Sequence, residues 1–506
     1  MKIESEPWPQ IFEKIESLVV QGQHGEVKQI FEELHFKQIP KDYLAPFAEL
    51  ACRISEPITA LKLLNKIISP ENRFTAGATD KEKFIYATAL ANLGAVHEAV
   101  EMFGTIDHVS EPEVLLRKAM AYFRDWNYAA AIPLLEEYLK QPDKPLYRQL
   151  IGKINLAAAF VIENRFEEAQ DLLTQIQKAC QRDNYLLLLG NTFELQGQIA
   201  FFNKNFDQAD ILLGQAMDIL KNQNGEFFLF AEKWKVINQL FKTKNTASVN
   251  ALRAFRVKAV SLGEYETVRD CDLFESVAMH KEDLFRKVIM GTPSESYRRR
   301  ARQLLGKSTT AQGSFNLELG FSANKENYFI FNPYEMQNSQ QGLYTKPQLL
   351  ALFEAMMVDF YKPSYIGLLF QRVYKNEKFN PFTSPNRVLS LMKRLNQWFI
   401  DQKVPLQIRL KKSEFQIVAV DSTAVKVFIE RTKVLSKEQG HLFSLRQHFK
   451  DRTFSATLIS EKMEISKTSA QSLIGQAIEK GYIKKLGNGR ATMYAIVSKS
   501  RKKVAA

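Results

Sequence analysis

The sequence is poor in cysteine. Only three of its 506 residues are cysteines, they are widely spaced (Cys52, Cys180 and Cys271), and no CxxC pair occurs. This excludes a small scaffold held together by disulfides. An odd, scattered set of cysteines is typical of reduced thiols in a cytoplasmic protein.

Long apolar runs are also absent. The longest uncharged apolar stretch, residues 154–162, is far shorter than the ~20 residues that a membrane-spanning helix needs. Residues 1–7 lack the apolar core that a signal peptide requires. We therefore expect a cytoplasmic location and no membrane partner.

The sequence contains none of the motifs of the common enzyme classes. It has no HExxH and no GxSxG, and its histidines show no spacing suited to a metal site. Gly306-Lys307-Ser308 resembles the end of a phosphate-binding loop, but that loop needs a further glycine where this chain has Ala301. We therefore expect no catalytic residues, no cofactor and no bound metal.

Charge is distributed unevenly between the two parts of the chain. The net charge is +13, but residues 1–290 carry −6 and residues 291–506 carry +19. A strongly basic segment of this size is typical of proteins that bind a polyanion, although a solvated basic surface would have the same composition. The charge split favours nucleic acid as the partner of the second part.

A short pattern recurs along the acidic part. An alanine follows a bulky residue by three positions and precedes a large apolar residue by four, and the alanines are Ala99, Ala131, Ala169 and Ala209. Another small residue lies nine positions before each bulky residue. Small residues at these spacings allow two helices to approach closely, and the large residue fills the groove between them.

This pattern resembles the tetratricopeptide repeat (TPR), most clearly over residues 80–220. The resemblance implies that residues 1–290 form an α-solenoid of TPR-like helical hairpins, in which stacking supplies the core that one hairpin lacks. It also implies a concave surface for a protein or peptide partner, or for another copy of the chain, so that a homo-oligomer is one of the open alternatives.

Residues 291–314 predict a basic linker. Turn-forming residues lie at both ends, and Arg298, Arg299, Arg300 and Arg302 form a cluster between them. These arginines are suited to contact phosphate groups, and a solvated linker face is the equally open alternative.

Residues 437–497 show the elements of a small domain with three helices and a hairpin. Helices are predicted over 437–450, 456–463 and 467–480, and a turn at 487–489 joins two strands. This order resembles bacterial winged helix-turn-helix domains.

The third of these helices is the predicted recognition helix, with Ser466 as its cap. Its apolar stripe (Ala470, Leu473, Ile474, Ala477 and Ile478) should face inward, which leaves short polar and basic side chains outside. Such side chains can reach base edges in the major groove, and basic hairpin residues can reach phosphates. The candidate DNA-binding residues are Lys467, Thr468, Gln471, Ser472 and Gln476 on the helix and Lys484, Lys485 and Arg490 on the hairpin. A winged helix that contacts protein would have the same fold.

Residues 315–420 predict a second domain of this kind. The expected elements are two strands that pair with each other (315–319 and 328–331), three helices (346–361, 363–374 and 385–401) and a closing hairpin (406–410 and 415–418). This order resembles the OmpR-type effector domain of response regulators. The candidate DNA-binding residues here are Arg387, Ser390, Arg394 and Gln397 on the third helix and Lys411 and Lys412 in the hairpin. A packing or dimerising role is the alternative.

The expected fold class is mainly α, an α-solenoid of TPR-like helical hairpins followed by two α+β winged-helix domains. The expected order is the solenoid (1–290), the basic linker (291–314), the OmpR-like domain (315–420), a connector (421–436), the second winged helix (437–497) and a basic tail (498–506). This organisation predicts a transcriptional regulator that binds double-stranded DNA, with structured RNA as a further open partner. The alternative is a non-enzymatic assembly scaffold whose winged helices mediate protein–protein contact or oligomerisation.

Overall fold

The structure is a computed structural model. It describes residues 7–68, 77–142, 144–223, 225–306, 313–319, 328–335, 342–411, 413–420, 423–431, 445, 449, 453–462, 466–479, 482–487 and 492–497. By their contacts the residues form two units. The first contains residues 1–309, 355–390 and 409–416, and the second contains residues 310–354, 391–408 and 417–506.

The first unit is built mainly from helices that follow one another along the chain. These are α1 (Trp8–Val20), α2 (His24–Glu33), α3 (Lys41–Arg53), α4 (Pro57–Ile68), α5 (Asp80–Asn92), α6 (Val96–Phe103), α7 (Glu113–Arg124), α8 (Tyr128–Lys140), α9 (Leu146–Ile162), α10 (Phe166–Asp183), α11 (Leu186–Phe202), α12 (Phe206–Leu220), α13 (Gly225–Thr243), α14 (Thr246–Leu262), α15 (Tyr265–Ala278), α16 (Glu282–Met290) and α17 (Glu295–Leu305). Most consecutive helices pack against each other. The chain is therefore mainly helical and its first unit is a TPR-like repeat array, as the sequence predicts.

The small residues of the repeat pattern lie where the helices are closest. The four alanines at positions 99, 131, 169 and 209 are fully buried. A Cβ atom on Gly197 would lie 2.7 Å from Cγ of Leu213, so only glycine fits that approach. The first helix of several hairpins also ends at a residue with positive φ, which is 62° at Ser55, 59° at Trp126 and 62° at Lys204. This recurrent left-handed residue turns the chain back at the same point of each hairpin.

The stretch assigned to a basic linker contains the helix α17. Ser294 caps this helix by accepting a hydrogen bond from the Tyr297 amide (3.3 Å), and Gly306 ends it with a φ of 67°. Ser296 Oγ donates to the Trp126 carbonyl (2.8 Å), so the helix packs on the repeats.

Residues 355–390 also belong to the first unit, and we call them the docked segment. The helix α18 (Pro347–Met357) runs into it, and β3 (Ser364–Tyr365), α19 (Ile366–Val373) and the start of α20 (Ser384–Asp401) lie within it. The Gly367 amide donates to the Leu93 carbonyl (3.1 Å), and a Cβ atom on Gly367 would lie 2.7 Å from that oxygen. Glycine is therefore required for this backbone approach.

The second unit contains a three-stranded sheet in the order β1-β6-β2, with β1 (Gly313–Leu319), β2 (Phe329–Phe331) and β6 (Val425–Arg431). The strand β1 pairs antiparallel with β6 and β2 pairs parallel with it. The expectation that the first two strands pair with each other is therefore wrong. Both are strands, but β6, from the predicted connector, lies between them.

A second sheet, which includes residues 364–365 and 409–416 of the first unit, has the order β3-β5-β4, with β4 (Leu406–Lys411) and β5 (Glu414–Ala419). A short 3₁₀ helix at Leu343–Thr345 precedes α18. The aromatic rings of Phe331, Phe353 and Phe399 lie within 6.5 Å of one another and form part of the core of the second unit.

Residues 445–497, where described, form the C-terminal module. It contains α21 (Ala456–Lys462), α22 (Lys467–Glu479) and a hairpin of β7 (Ile483–Leu486) and β8 (Met493–Ile496). Its core joins Leu445, Phe449, Phe454, Ile459, Leu473, Ile474 and Ile483. Most of the predicted helix 437–450 lies outside the described residues, as does the predicted tail 498–506.

Candidate functional site

Helix α22 of the C-terminal module separates an apolar face from a polar one. Ser466 Oγ accepts a hydrogen bond from the Ser469 amide (3.1 Å), so the predicted cap is present. Ala470, Leu473, Ile474 and Ala477 are buried. Ile478 was expected in the same stripe, but 38% of it is exposed, because it lies beyond the edge of the small core.

The opposite face of α22 carries the candidate residues of the helix. Lys467, Thr468, Gln471 and Ser472 are all exposed, and Lys467 opens the helix. The side chain of Gln476 and the whole of Arg490 lie outside the described residues. Within the described part of the chain, no ion pair holds Lys467.

The hairpin beside α22 presents two further cations. Strand β7 packs on α22 through Ile483, and Lys484 and Lys485 are both exposed. Successive side chains of a strand point to opposite faces, so Lys485 follows the face of Ile483 and Lys484 the opposite one. Two hydrogen bonds between the backbones of Phe454 and Tyr494 (2.9 and 2.8 Å) fix the hairpin to the start of the module.

The candidate residues of α20 have different surroundings. Arg387 is half-buried, forms an ion pair with Glu377 and lies 4.0 Å from the centre of the Tyr374 ring. Ser390 and Arg394 are exposed, as is Gln397, which donates to Asp401 (2.8 Å). Lys411 is exposed at the end of β4, and Lys412 lies outside the described residues.

The arginine cluster of α17 is used within the first unit. Arg298 donates to the Thr292 carbonyl (2.7 Å), Arg299 pairs with Glu163 (3.3 Å) and Arg302 pairs with Glu295 (2.9 Å). The Arg300 guanidinium lies 4.4 Å from the centre of the Phe202 ring. Arg299 and Arg300 therefore contact the repeats, whereas Arg298 and Arg302 contact residues of their own segment. Contact between these arginines and phosphate stays a prediction.

A buried ion pair holds the docked segment. Arg269 of α15 donates two hydrogen bonds of 2.6 Å to the two carboxylate oxygens of Asp359, and its side chain has no exposed area. The rings of Trp126, Tyr297 and Tyr361 lie 5.1 to 5.8 Å from the Arg269 guanidinium. A charged pair removed from water in this way is costly unless both partners are present.

Two further contacts of the docked segment involve buried carboxylates. The Phe379 amide donates to Glu98 (2.8 Å), and the Tyr361 hydroxyl donates to Asp272 (2.8 Å). Burial raises the pKa of Glu98, although the Phe379 amide opposes this shift. Burial also disfavours ionised Asp272, but hydrogen bonding from Arg256 and the charge of Lys287 outweigh burial and lower its pKa.

Polar residues continue through the repeats from this site. The Tyr297 hydroxyl and Lys233 Nζ both donate to Asp270 (2.8 and 2.7 Å), and Gln198 donates to Glu194 (2.7 Å). Burial raises the pKa of Glu194 to about 7, although the Lys233 charge opposes the shift. Sequence reasoning missed this network, and its only signal is the presence of charged residues on every face of α15.

Among the described residues, no group of His, Cys, Asp and Glu is placed to hold a metal ion. No helix in the described ranges has the length and apolar character to cross a membrane.

Comparison with known proteins gives distant structural similarities. No family model matches the chain, and no curated protein matches it. The solved structures to which it is similar include the apo form of RapI (12% identity, 56% of this chain, 85% of that chain, TM-score 0.39). They also include a Rap protein complexed with competence and sporulation factor (11% identity, 77% of this chain, 99% of that chain, TM-score 0.40). A third is the apo form of the quorum sensor NprR from B. thuringiensis (13% identity, 59% of this chain, 94% of that chain, TM-score 0.37).

Proposed function

We propose that the chain is a non-enzymatic transcriptional regulator that binds double-stranded DNA through its C-terminal module and a protein or peptide partner through its repeats. The observation that carries this proposal is the exposed face of α22. That face combines Lys467 at the first turn with Thr468, Gln471 and Ser472, while the opposite face is buried.

The chemistry of this face suits a major groove. Hydroxyl and amide side chains both donate and accept hydrogen bonds, so they can read base edges, and a lysine contacts phosphate. Lys467 lies at the N-terminal end of α22, which is the end of a recognition helix that approaches the bases. A winged helix in this module is supported by the order of α21, α22, β7 and β8, and by the pairing of Phe454 with Tyr494.

The hairpin and α20 supply secondary contacts in this proposal. Lys484 and Lys485 are suited to contact phosphates beside α22, with Arg490 and Gln476 as further candidates from the sequence. On α20, the candidates are Ser390, Arg394 and Gln397, joined by Lys411 and Lys412 of the hairpin. Two modules on one duplex would combine modest affinities.

A second function, the assembly scaffold, is favoured by one observation. The docked segment, which contains α19 and the start of α20, is packed against the repeats through Arg269, Leu93 and Glu98. Part of the segment predicted as a winged helix is therefore engaged in contacts within the chain, which supports a role in protein contact. We propose this role only for the predicted OmpR-like domain (315–420).

The test is the binding of the full chain to a random-sequence DNA duplex at a series of salt concentrations. Phosphate contacts release counterions, so we expect the logarithm of the association constant to fall linearly with that of the salt concentration, with a slope of about −0.9 per contact. Lys467→Ala should weaken binding to all duplexes and make the slope shallower by about 1.

The matched control is Lys178→Ala, which removes an exposed lysine of α10 in the repeats. This variant should bind DNA as the unaltered chain does. If no duplex binds in a salt-dependent way, or if both variants behave alike, the regulator proposal is overturned and the scaffold is favoured.

A further inference from the structure

An open cavity of about 570 Å³ lies on the surface of α10, α11 and α12. This volume falls in the ~300–1,000 Å³ range of ligand sites. Eight of its twelve lining residues are glutamine or asparagine, and none of the twelve is charged. We call this cavity the amide groove.

The amides of the groove are arranged regularly along the helices. Three pairs are separated by seven residues: Gln170 and Gln177 on α10, Gln196 on α11 with Asn203 directly after its end, and Gln208 and Gln215 on α12. Seven residues are almost two helical turns, so both members of a pair lie on one face about 10.5 Å apart. This distance equals about three residues of an extended chain.

Part of the groove is already ordered by internal hydrogen bonds. The Gln196 amide donates to Gln177 (3.2 Å), and Asn205 accepts from the Gln208 backbone (3.3 Å). In contrast, Gln181, Gln208 and Gln215 are exposed, and no hydrogen bond within the described residues engages their side-chain amides. The groove therefore contains amides held in place by internal hydrogen bonds and exposed amides that can bond to a ligand.

We infer that the amide groove binds an extended, uncharged peptide segment of a partner by pairing with its backbone. This inference deepens the interaction role proposed for the repeats and does not depend on DNA binding. A side-chain amide has one carbonyl and one NH₂ group, so it can form two hydrogen bonds with the backbone N–H and C=O of one residue in an extended segment. Asn396 shows such pairing within the chain, since it accepts from the Ile408 amide (2.7 Å) and donates to the Ile408 carbonyl (3.3 Å).

The chemistry of the groove excludes other ligand classes. A helical segment has its backbone groups hydrogen-bonded internally, so it offers little to a row of amides. A nucleic acid needs cations, which the lining lacks. Phe193, Ile199 and Leu212 add apolar surface for small side chains of the bound segment.

The probe is a library of acetylated and amidated heptapeptides made of Ala, Ser, Thr, Val, Leu and Asn. Labelled full-length protein selects sequences from the library, and the affinity of the best one is measured by fluorescence anisotropy. We expect a heptapeptide that binds the unaltered chain. Methylation of its alternate backbone nitrogens should weaken binding by about tenfold or more, because each methyl removes a donor.

The triple variant Gln181→Ala, Gln208→Ala, Gln215→Ala tests the site. These side chains are exposed, so the variant should keep its unfolding temperature and lose about tenfold or more in affinity for the peptide. The matched control is Gln175→Ala, an exposed glutamine of α10 outside the lining, which should bind as before.

Four outcomes overturn the inference. The first three are no selected peptide, equal binding of the methylated peptide, and a triple variant with unchanged affinity. An oligosaccharide array run in parallel tests the other uncharged ligand class. Oligosaccharide binding that the triple variant abolishes also overturns the inference.

The same samples are assayed with the DNA duplex. DNA binding without peptide binding rejects only this inference, and peptide binding without DNA binding rejects only the DNA-binding part of the proposed function.

Discussion

Charged side chains have opposite roles in the first unit and in the C-terminal module. In the first unit, Arg269, Lys233 and Asp272 are buried and paired with groups of the chain itself. In the C-terminal module, Lys467 and Lys484 are exposed and, within the described residues, have no ion-pair partner. These charged residues of the first unit are therefore engaged within the fold, whereas those of the C-terminal module are available to a partner.

The net charge of a segment therefore does not show which of its residues can bind a polyanion. The arginines of α17 lie in the basic part of the sequence, yet Arg299 and Arg302 pair with carboxylates of the first unit. A cation becomes a candidate for a polyanion only when its own fold leaves it without a partner. The exposure of each cation and its ion-pair partners therefore decide whether it can bind a polyanion.

The largest effect is expected where the buried pair is broken. Arg269→Met leaves Asp359 buried without its partner, so we expect the free energy of unfolding to fall by about 3–5 kcal/mol. Urea unfolding followed by circular dichroism measures this change. Lys467→Met, an exposed lysine of α22, should change stability by less than ~0.5 kcal/mol.

The double variant Arg269→Met, Asp359→Leu tests whether the lost stability comes from the unpaired charge of Asp359. It removes both charges, so part of the lost stability should return. If Arg269→Met and Lys467→Met lower the free energy of unfolding equally, the buried and the exposed cations do not differ in their role in stability.

An intermediate effect is expected at Glu194, through pH. Its pKa is raised by burial to about 7 in the fold, against an ordinary value of 4.5. The folded chain thus favours the protonated form, and the stability from this group is complete below pH ~4.5, falls as the pH rises to about 7 and is then constant. Glu194→Gln keeps an acceptor for Gln198 without a charge, so we expect it to be more stable at pH 8 by up to ~3 kcal/mol.

Stability measured from pH 4 to pH 8 checks this prediction, and Glu168 supplies a control of opposite sign. A hydrogen bond from Arg165 lowers the pKa of this exposed carboxylate, so its contribution is lost at acid pH instead. Glu168→Gln should leave the decline between pH 4.5 and 7 intact. If Glu194→Gln also leaves the decline in stability between pH 4.5 and 7 unchanged, Glu194 does not cause that decline.

The repeats could be predicted because their pattern is local. The alanines at 99, 131, 169 and 209 are fully buried, and their spacing follows directly from the helical period. The β1-β6-β2 sheet could not be predicted in the same way, since its central strand β6 comes from a distant part of the chain. Pairing between distant strands leaves no signal in a short window of sequence.

The candidate residues also differ in whether a local pattern or a long-range contact determines their surroundings. The exposed face of α22 was predictable because the buried stripe of the helix determines it, apart from Ile478 at the margin of the core. The pairing of Arg387 with Glu377, and the burial of Arg269 against Asp359, depend on tertiary contacts. No periodicity within one helix reports such contacts.

The smallest effect should separate two arginines of α20. Arg394 is exposed, whereas Arg387 pairs with Glu377 and lies over the Tyr374 ring. Arg394→Ala should therefore make the salt slope of DNA binding shallower by at most about 1 if α20 touches phosphate, whereas Arg387→Ala should leave it unchanged. The loss of its partly exposed ion pair should cost the Arg387 variant only ~0.2–1 kcal/mol of stability. Duplex binding across a salt series measures both variants, and a larger slope change for Arg387→Ala would show that its pairing does not withhold it from DNA.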